Sequence, residues 1–430
     1  MLPWREELMK KVIVFGMGGD CKKMLEEQPS ILDNVIAFTS NNATEKEMMG
    51  KPVIKPSEIK DYPYNAVVIA TNNYLLQIFR QCCQELHIPM DKVLSVNEYM
   101  KEAIVDGGIL PKKIRLDSST LCQLDCPGCY MRLHEHPAVG DGYLKFSDFK
   151  RLLDENTGLA EIELSNNGEP FLNPDMKAIL EYAAEKGVSI TFRNGTNFNN
   201  VSEDVIETLV RTKVKFINFS IDGASQEVYS MYRRGGDFGK VMENIKLVNF
   251  YKNKYASECP VLQWQFILME HNQHQVLEAK HMAEELNMKI YYKLDATRDY
   301  EFQDPEFIKE VTGLKYLSEG EVLEKTGKFY NMSCRELFDF PAINFDGKLV
   351  GCCRVSAYAE KEFGANVFRD GLRGALSSEE YMRAKKVLLG ESAEELPDTT
   401  PCGSCYVYKN MKKTGNYLRR EDIRVWKGQY

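Results

Sequence analysis

At 430 residues the chain exceeds the length that one hydrophobic core usually serves, so two or three domains are expected. A hydrophobic content of 43% with 27% charged residues is that of a globular protein, and no apolar run approaches the roughly 18 residues that cross a bilayer, which excludes a helical membrane span. The net charge of −8, without any block of Lys or Arg, excludes a surface built to track phosphates, so nucleic acid is not an expected partner.

The N-terminal stretch MLPWREELMKKVIVFGMGG passes from charged residues straight into a strand-like run, without the separate apolar segment and small-residue cleavage site of a secretory signal. A cytoplasmic location is therefore expected. In that reducing compartment 12 cysteines are better suited to metal binding or redox work than to a disulfide framework.

In chain order, residues 11–16 (KVIVFG) read as a strand closed by Gly16, Gly18 and Gly19, followed by a helix. Further strands are expected at Asn34 to Phe38 and, after the loop DYPYN, at Ala66 to Ala70. Strands alternating with helices predict a parallel, doubly wound sheet, a Rossmann-like domain over residues 1–104 that ends where EAIVDGG interrupts the pattern. The glycine turn only half matches the dinucleotide fingerprint, because Cys21 stands where its third glycine belongs. Phe38-Thr39-Ser40-Asn41 offers no acidic residue for a ribose, so NAD is not expected. The domain resembles Rossmann-like modules of sugar-nucleotide and acyl-transfer proteins, which leaves two readings open: a site for a nucleotide portion of the substrate, or a scaffold.

From Lys112 the alternation restarts, with strands expected at Ile114 to Asp117, Glu161 to Ser165, Val188 to Phe192, Phe216 to Ile221, Leu262 to Leu268 and Lys289 to Leu294. Helical stretches such as Asp175 to Lys186 and Val201 to Arg211 lie between them. Six such units predict a partial (β/α)6 barrel over residues 105–300, with its chemistry at the C-terminal ends of the strands. Polar residues there, Asn166, Arg193, Gln265 and Lys293, are the candidates to meet a substrate or to be hydrogen-bonded barrel residues. Residues 301–430 read as a charged connector and a cysteine-bearing tail, a small α+β domain.

Directly after the first barrel strand comes Cys122-Gln-Leu-Asp-Cys126-Pro-Gly-Cys129. Three thiolates within eight residues can converge on one site, and soft thiolates select iron–sulfur clusters or zinc. A structural zinc completed by His134 or His136 is the plainer alternative. The spacing C-x3-C-x2-C resembles the signature of the radical S-adenosylmethionine superfamily, and so do three later turns. Ser165-Asn166-Asn167-Gly168-Glu169-Pro170 looks like the family's Gly-Gly-Glu-Pro turn with Asn167 in place of the first glycine; Arg193-Asn194-Gly195 resembles its Thr-Asn-Gly turn. Ser220-Ile221-Asp222-Gly223 with Arg233-Arg234-Gly235 resembles the stretch that binds ribose and the methionine carboxylate. The family often has an aromatic residue before its third cysteine; here Gly128 stands there, with Tyr130 just beyond.

The resemblance implies a 4Fe-4S cluster on Cys122, Cys126 and Cys129, with S-adenosyl-L-methionine held by Asn167, Gly168, Glu169, Asn194, Ser220, Asp222, Arg234 and Tyr130. It also implies a flavodoxin- or ferredoxin-type electron donor.

The tail carries Cys334, the hairpin Gly347-Lys-Leu-Val-Gly-Cys352-Cys353 and Cys402-Gly-Ser-Cys405. Asp346-Gly347 predicts a two-residue hairpin turn with Cys352 on its second strand. Four thiolates fit zinc as well as iron. The spacing resembles the twitch form of the SPASM extension, which implies one auxiliary 4Fe-4S cluster on Cys334, Cys352, Cys402 and Cys405.

The same resemblance implies dehydrogenation of a small substrate such as a sugar, aminocyclitol or nucleotide-sugar, with the auxiliary cluster taking the electron. Epimerisation, with Cys353 returning a hydrogen atom, and peptide modification are the alternatives; Cys353 and Arg193 are the candidate catalytic residues. A zinc-stapled binding protein is the reading from outside the enzymes. Cys21, Cys82, Cys83 and Cys259 are expected to be packed thiols.

Overall fold

A computed structural model describes residues 11–129, 131, 139–295, 300–327, 334–353 and 362–424. The first sheet arises from short runs that are apolar on both faces, the pattern required when helices cover both sides. Its strands are β1 (Val12–Phe15), β2 (Val35–Thr39), β3 (Glu47–Met48), β4 (Lys51–Ile54), β5 (Ala66–Ile69) and β6 (Val93–Ser95), in the order β3-β4-β2-β1-β5-β6. All neighbours are parallel except the β3–β4 edge pair. Successive side chains of β1 go to opposite cores: Val12 and Val14 pack with Cys21, Met24 and Tyr99, whereas Ile13 and Phe15 pack with Ile78 and Cys82. Burial pushes the Cys21 thiol up to about 11 and that of Cys82 up to about 12, as fits inert packed thiols.

This sheet belongs to a compact unit of residues 1–112, 376–394 and 418–430. Its late segments are fastened by charge. Arg420 donates through Nε and Nη2 to Glu391 at 2.5 and 2.7 Å and bonds Glu102, while Lys385, 4% exposed, donates to the Ile104 carbonyl at 2.6 Å. Burial draws Lys385 down to about 7 and lifts Asp106, which faces Arg420 at 3.6 Å, to about 6.

The second unit comprises residues 113–375 and 395–417. Strands β7 (Lys113–Leu116), β8 (Glu161–Glu163), β9 (Ser189–Thr196), β10 (Phe216–Ser220), β11 (Val261–Leu268), β12 (Lys289–Leu294) and β13 (Ala342–Ile343) form one parallel sheet in the order β12-β11-β10-β9-β8-β7-β13. This is the expected partial barrel, extended by β13. Residues of one parity are apolar (Ile114, Ile162, Ile190, Ile217, Trp264) and the others polar yet buried (Arg115, Glu163, Thr191, Asn218, Gln265), so the inner layer of the sheet is polar.

Three domains were expected, whereas contacts group the chain into these two units, which divide residues 301–430 between them. Ala342–Ile343 pairs with β7, with Arg115 N donating to Pro341 O at 2.9 Å. A two-residue strand carries no readable periodicity of its own. Among the described residues no helix is long and apolar enough to cross a membrane.

Candidate active site

Buried carboxylates stitch the C-terminal ends of the barrel strands together. Asp117, just after β7, accepts from Asn167 N at 2.8 Å and Asn167 Nδ2 at 2.9 Å. Glu163, ending β8, accepts from the N–H groups of Arg193 at 2.7 Å and Asn194 at 3.3 Å and from Thr191 Oγ1 at 2.6 Å. Glu169 takes Thr196 Oγ1 at 2.5 Å and Asn197 N at 2.7 Å. Asp222, after β10, accepts from Ile267 N at 2.7 Å and Arg233 Nε at 2.6 Å. Each carboxylate therefore fixes main-chain donors of a neighbouring strand end, as buried polar groups require. Burial lifts Asp117 and Glu169 each to about 7, against the donors that hold them.

The three-thiol loop lies against this floor. Leu124 N donates to Cys122 Sγ at 3.5 Å, Asn197 Nδ2 to the same sulfur at 3.6 Å, and Arg233 Nη1 to Cys126 Sγ at 3.7 Å. Burial pushes Cys122 up to about 12 and raises Cys126, with the neighbouring sulfurs adding to both. Gly128 stands where the family often has an aromatic residue; a Cβ there would lie 2.8 Å from Tyr232 Oη, so a side chain would have to displace the tyrosine hydroxyl.

A cavity of about 890 Å³ is lined by Cys122, Cys126 and Cys129, by the turn from Ser165 to Glu169, and by Asn194, Ser220 and Arg233. Among the described residues no three His, Cys, Asp or Glu side chains already stand as a closed metal-ligand group. The donor set nonetheless fits an iron–sulfur cluster: three thiols on one loop share a cavity, with N–H donors aimed at two of the sulfurs, the surroundings that stabilise thiolate ligands.

Gly168 forms part of the wall at φ 59°, and a Cβ would meet three main-chain atoms, Ser119 O at 2.6 Å and Leu121 O and Thr120 C at 2.7 Å. Neither the left-handed backbone nor the contact has a flexible partner to yield. Gly168→Ala is expected to lose iron from the Cys122 loop and to lower the melting temperature, by about 2 kcal/mol of stability or more. Iron content and melting temperature matching the parent protein would refute this reading of the turn.

Of the residues expected from the sequence, Asn166, Asn167, Gly168, Glu169, Asn194, Ser220, Gln265 and Lys293 all line the cavity. Asp222 does not line it; it is fully buried and acts through Arg233. Arg233 lines it, whereas Arg234 lines a neighbouring cavity of about 610 Å³ that shares Tyr232. Arg193 is not among the lining residues: its side chain pairs with Glu161 at 3.7 Å and lies 5.0 Å over the Phe216 ring. Tyr130, His134 and His136 lie outside the described residues. Asp117, Glu163 and Asn197 escaped sequence reasoning because an isolated acid or amide beside a strand end has no spacing signature.

In the tail, Cys402 is 7% exposed; burial raises its thiol well above the ordinary value, and the sulfurs of Cys352, Cys334 and Cys405 add to the rise. Cys334, Cys352 and Cys405 thus all lie near enough for their charge to reach Cys402, although Cys334 and Cys405 lie far apart in the chain. Asn344 N donates to Lys348 O and Gly347 N to Asn344 O, each at 2.9 Å, with Gly347 at φ 87°. The hairpin therefore has a three-residue loop with its glycine in the left-handed position, not the expected two-residue turn. Cys352 packs against a cluster of Val139, Ala342 and Val350 that Met131 also joins, and Met131 lines the large cavity. Cys353 is absent from that lining, and its sulfur acts, after burial, on the Arg115 guanidinium.

A parallel open barrel with a three-thiol loop after its first strand and an Asn-Gly-Glu-Pro turn after its second, both on one cavity, is the arrangement expected of a radical SAM domain, and the barrel region carries one. Residues 117–254 match the model of the radical SAM superfamily, and residues 8–94 match a second model, described as C2185-like, N-terminal. The chain is 29% identical over 133 residues to an uncharacterized protein of Methanocaldococcus jannaschii, covering 30% of this chain and 41% of that one. It is 26% identical over 140 residues to the same organism's "Probable GTP 3',8-cyclase", covering 31% and 44%. The chain thus matches less than half the length of these curated relatives. The crystal structure of Streptococcus suis SuiB bound to S-adenosylmethionine has the same fold, with a TM-score of 0.52 at 14% identity over 83% of this chain and 89% of that one.

Proposed function

We propose that this protein is a radical S-adenosylmethionine oxidoreductase that dehydrogenates a small polar substrate such as a sugar, aminocyclitol or nucleotide-sugar. The observation that carries the reading is the single cavity shared by the three thiols and the turn from Ser165 to Glu169. Cys122, Cys126 and Cys129 would hold a 4Fe-4S cluster, leaving one iron for the cofactor's amino and carboxylate groups. When bound, cluster and cofactor supply reductive cleavage of a carbon–sulfur bond and a carbon radical able to remove a hydrogen atom from an unactivated position.

The residues of the chain supply the surroundings. Asn167, Gly168, Glu169, Asn194 and Ser220 wall the cofactor, and Arg233 brings a positive charge to the same wall as Cys126, where a carboxylate would be held. Asn166, Gln265 and Lys293 present polar groups to a substrate in the remaining space, which suits hydroxyl or amino groups more than an apolar molecule. Cys334, Cys352, Cys402 and Cys405 would hold an auxiliary 4Fe-4S cluster, whose contribution in this reading is to accept the electron left on the substrate. Cys353 by Arg115 and Arg193 against Glu161 both stand outside the cavity lining, which favours dehydrogenation over hydrogen return by Cys353. A flavodoxin- or ferredoxin-type protein in a reducing cytoplasm is the matching electron source.

The test is to purify the protein without oxygen, measure iron, sulfide and zinc, and add dithionite with S-adenosylmethionine. Brown protein with about eight irons per chain is expected. 5′-Deoxyadenosine should form, and Cys126→Ala should abolish it together with about half of the iron. Colourless protein holding about two zinc ions, with no 5′-deoxyadenosine, would make it a zinc-stapled binding protein instead.

A further inference from the structure

We infer that Asp117 is a positioning residue for the cofactor's amino group, acting through Asn167; the inference rests on the S-adenosylmethionine reading above. Asn167 stands where the family's turn has glycine, so this chain has to house a side chain at the point where glycine would leave room. It does so by burying the side chain to 6% exposure and giving Nδ2 to Asp117 Oδ2 at 2.9 Å, while Asn167 N goes to Asp117 Oδ1 at 2.8 Å. One fully buried carboxylate thus holds one residue by both its main-chain and its side-chain donor. Two parallel N–H···O bonds to one carboxylate fix orientation as well as distance.

The neighbouring links of the turn are equally tight. Glu163 accepts from Ser165 N at 3.1 Å and Ser165 Oγ at 2.5 Å, and Glu169 N donates to Leu121 O at 2.7 Å. Asn166 Oδ1 accepts from Asn194 Nδ2 at 2.8 Å. The donors of Ser165, of Asn167 and of the Glu169 main chain are therefore spent on the protein, and the residues from Ser165 to Glu169 line the cavity. By contrast, the carbonyls of Ser165, Asn166 and Asn167 accept no hydrogen bond from any described residue. Open acceptors on a cavity wall suit a group that only donates, as an ammonium does. Asp117 sets the angle of that wall, since the peptide unit joining Asn166 to Asn167 carries the N–H it holds.

The test compares wild type, Asp117→Ala, Asp117→Asn and Asn167→Gly, each reconstituted without oxygen. S-Adenosylmethionine affinity is read by calorimetry, and the cofactor-induced change in the electron paramagnetic resonance of the reduced cluster is recorded beside iron content and melting temperature. Asp117→Ala is expected to weaken binding roughly ten- to hundredfold, the scale of a misplaced positioning contact, with iron content unchanged. Asp117→Asn should bind nearly as wild type does, because a turned Asn167 amide restores both hydrogen bonds. Asn167→Gly should fall between them, and it keeps the test open should Asp117→Ala fail to fold. Wild-type affinity in both Asp117→Ala and Asn167→Gly would overturn the inference, as would a lowered melting temperature with unaltered affinity. If wild type itself binds no S-adenosylmethionine while holding iron, the functional reading falls and this inference falls with it.

Discussion

Replacing Arg233 with methionine is expected to lower the melting temperature of the barrel unit by roughly 6–20 °C. Asp222 is fully buried, and its charge is met by Arg233 Nε at 2.6 Å. Burial opposes the charge on Arg233, but Asp222 and then Cys126 outweigh it and hold the guanidinium protonated. Removing one partner of a buried pair typically costs about 3–5 kcal/mol, because the other charge stays desolvated and alone. A unit of this size loses about 2–4 °C per kcal/mol. The sign of the double variant is the sharper test. Arg233→Met combined with Asp222→Leu should be less destabilising than Arg233→Met alone, although Ile267 N then loses its acceptor, which costs about 1–3 kcal/mol. Calorimetry of the iron-free proteins separates these cases. Equal melting temperatures for wild type and Arg233→Met would show that the pair is not a buried lock.

Gly403→Ala is expected to remove about half of the iron while leaving 5′-deoxyadenosine formation in place. A Cβ on Gly403 would fall 2.1 Å from Pro397 O, 2.6 Å from Pro397 C and 2.7 Å from Leu396 O. All three are main-chain atoms, and Pro397 O is already held by Thr400 N and Thr400 Oγ1, each at 2.9 Å. The segment has to move, and with it Cys402 and Cys405, whose own turn is closed by Cys405 N donating to Cys402 O at 3.1 Å. Overpacking of this kind costs about 1–3 kcal/mol or more in a packed interior. The readout is selective because Cys122, Cys126 and Cys129 belong to a different loop. Iron equal to that of wild type would exclude the four tail cysteines as a cluster site; loss of all iron would mean the two groups do not fill independently.

The strands of both sheets were legible because their periodicity is unambiguous. Runs such as Val12–Phe15 and Val261–Leu268 fall within a residue of the limits read from the sequence. The short pieces were not: Glu47–Met48, Lys51–Ile54, Val93–Ser95 and Ala342–Ile343 are too brief or too polar to show a period. At the site, cysteines and glycines declare themselves by spacing, and several residues flanking them line the cavity. What spacing cannot reveal is which of two adjacent arginines faces inward. Arg233 and Arg234 are equivalent in sequence, and only the end of the helix Gln226–Tyr232 turns the first toward Asp222 and Cys126. Arg193 misled for a related reason: it sits in the turn-like Arg-Asn-Gly, yet Glu161 draws its side chain away from the cavity lining.

The ion lattice around Arg420 bears on how the protein is made. Glu102 and Arg420 are 318 positions apart, so the first unit cannot close its charges until the barrel segment between them and Arg420 itself have left the ribosome. Until then Asp106 and Glu102 lack the guanidinium that meets them in the folded unit. Expression of residues 11–112 alone would leave these carboxylates without their arginine. A soluble N-terminal fragment is better built by joining the late segments 376–394 and 418–424 back to it than by cutting at the apparent domain boundary.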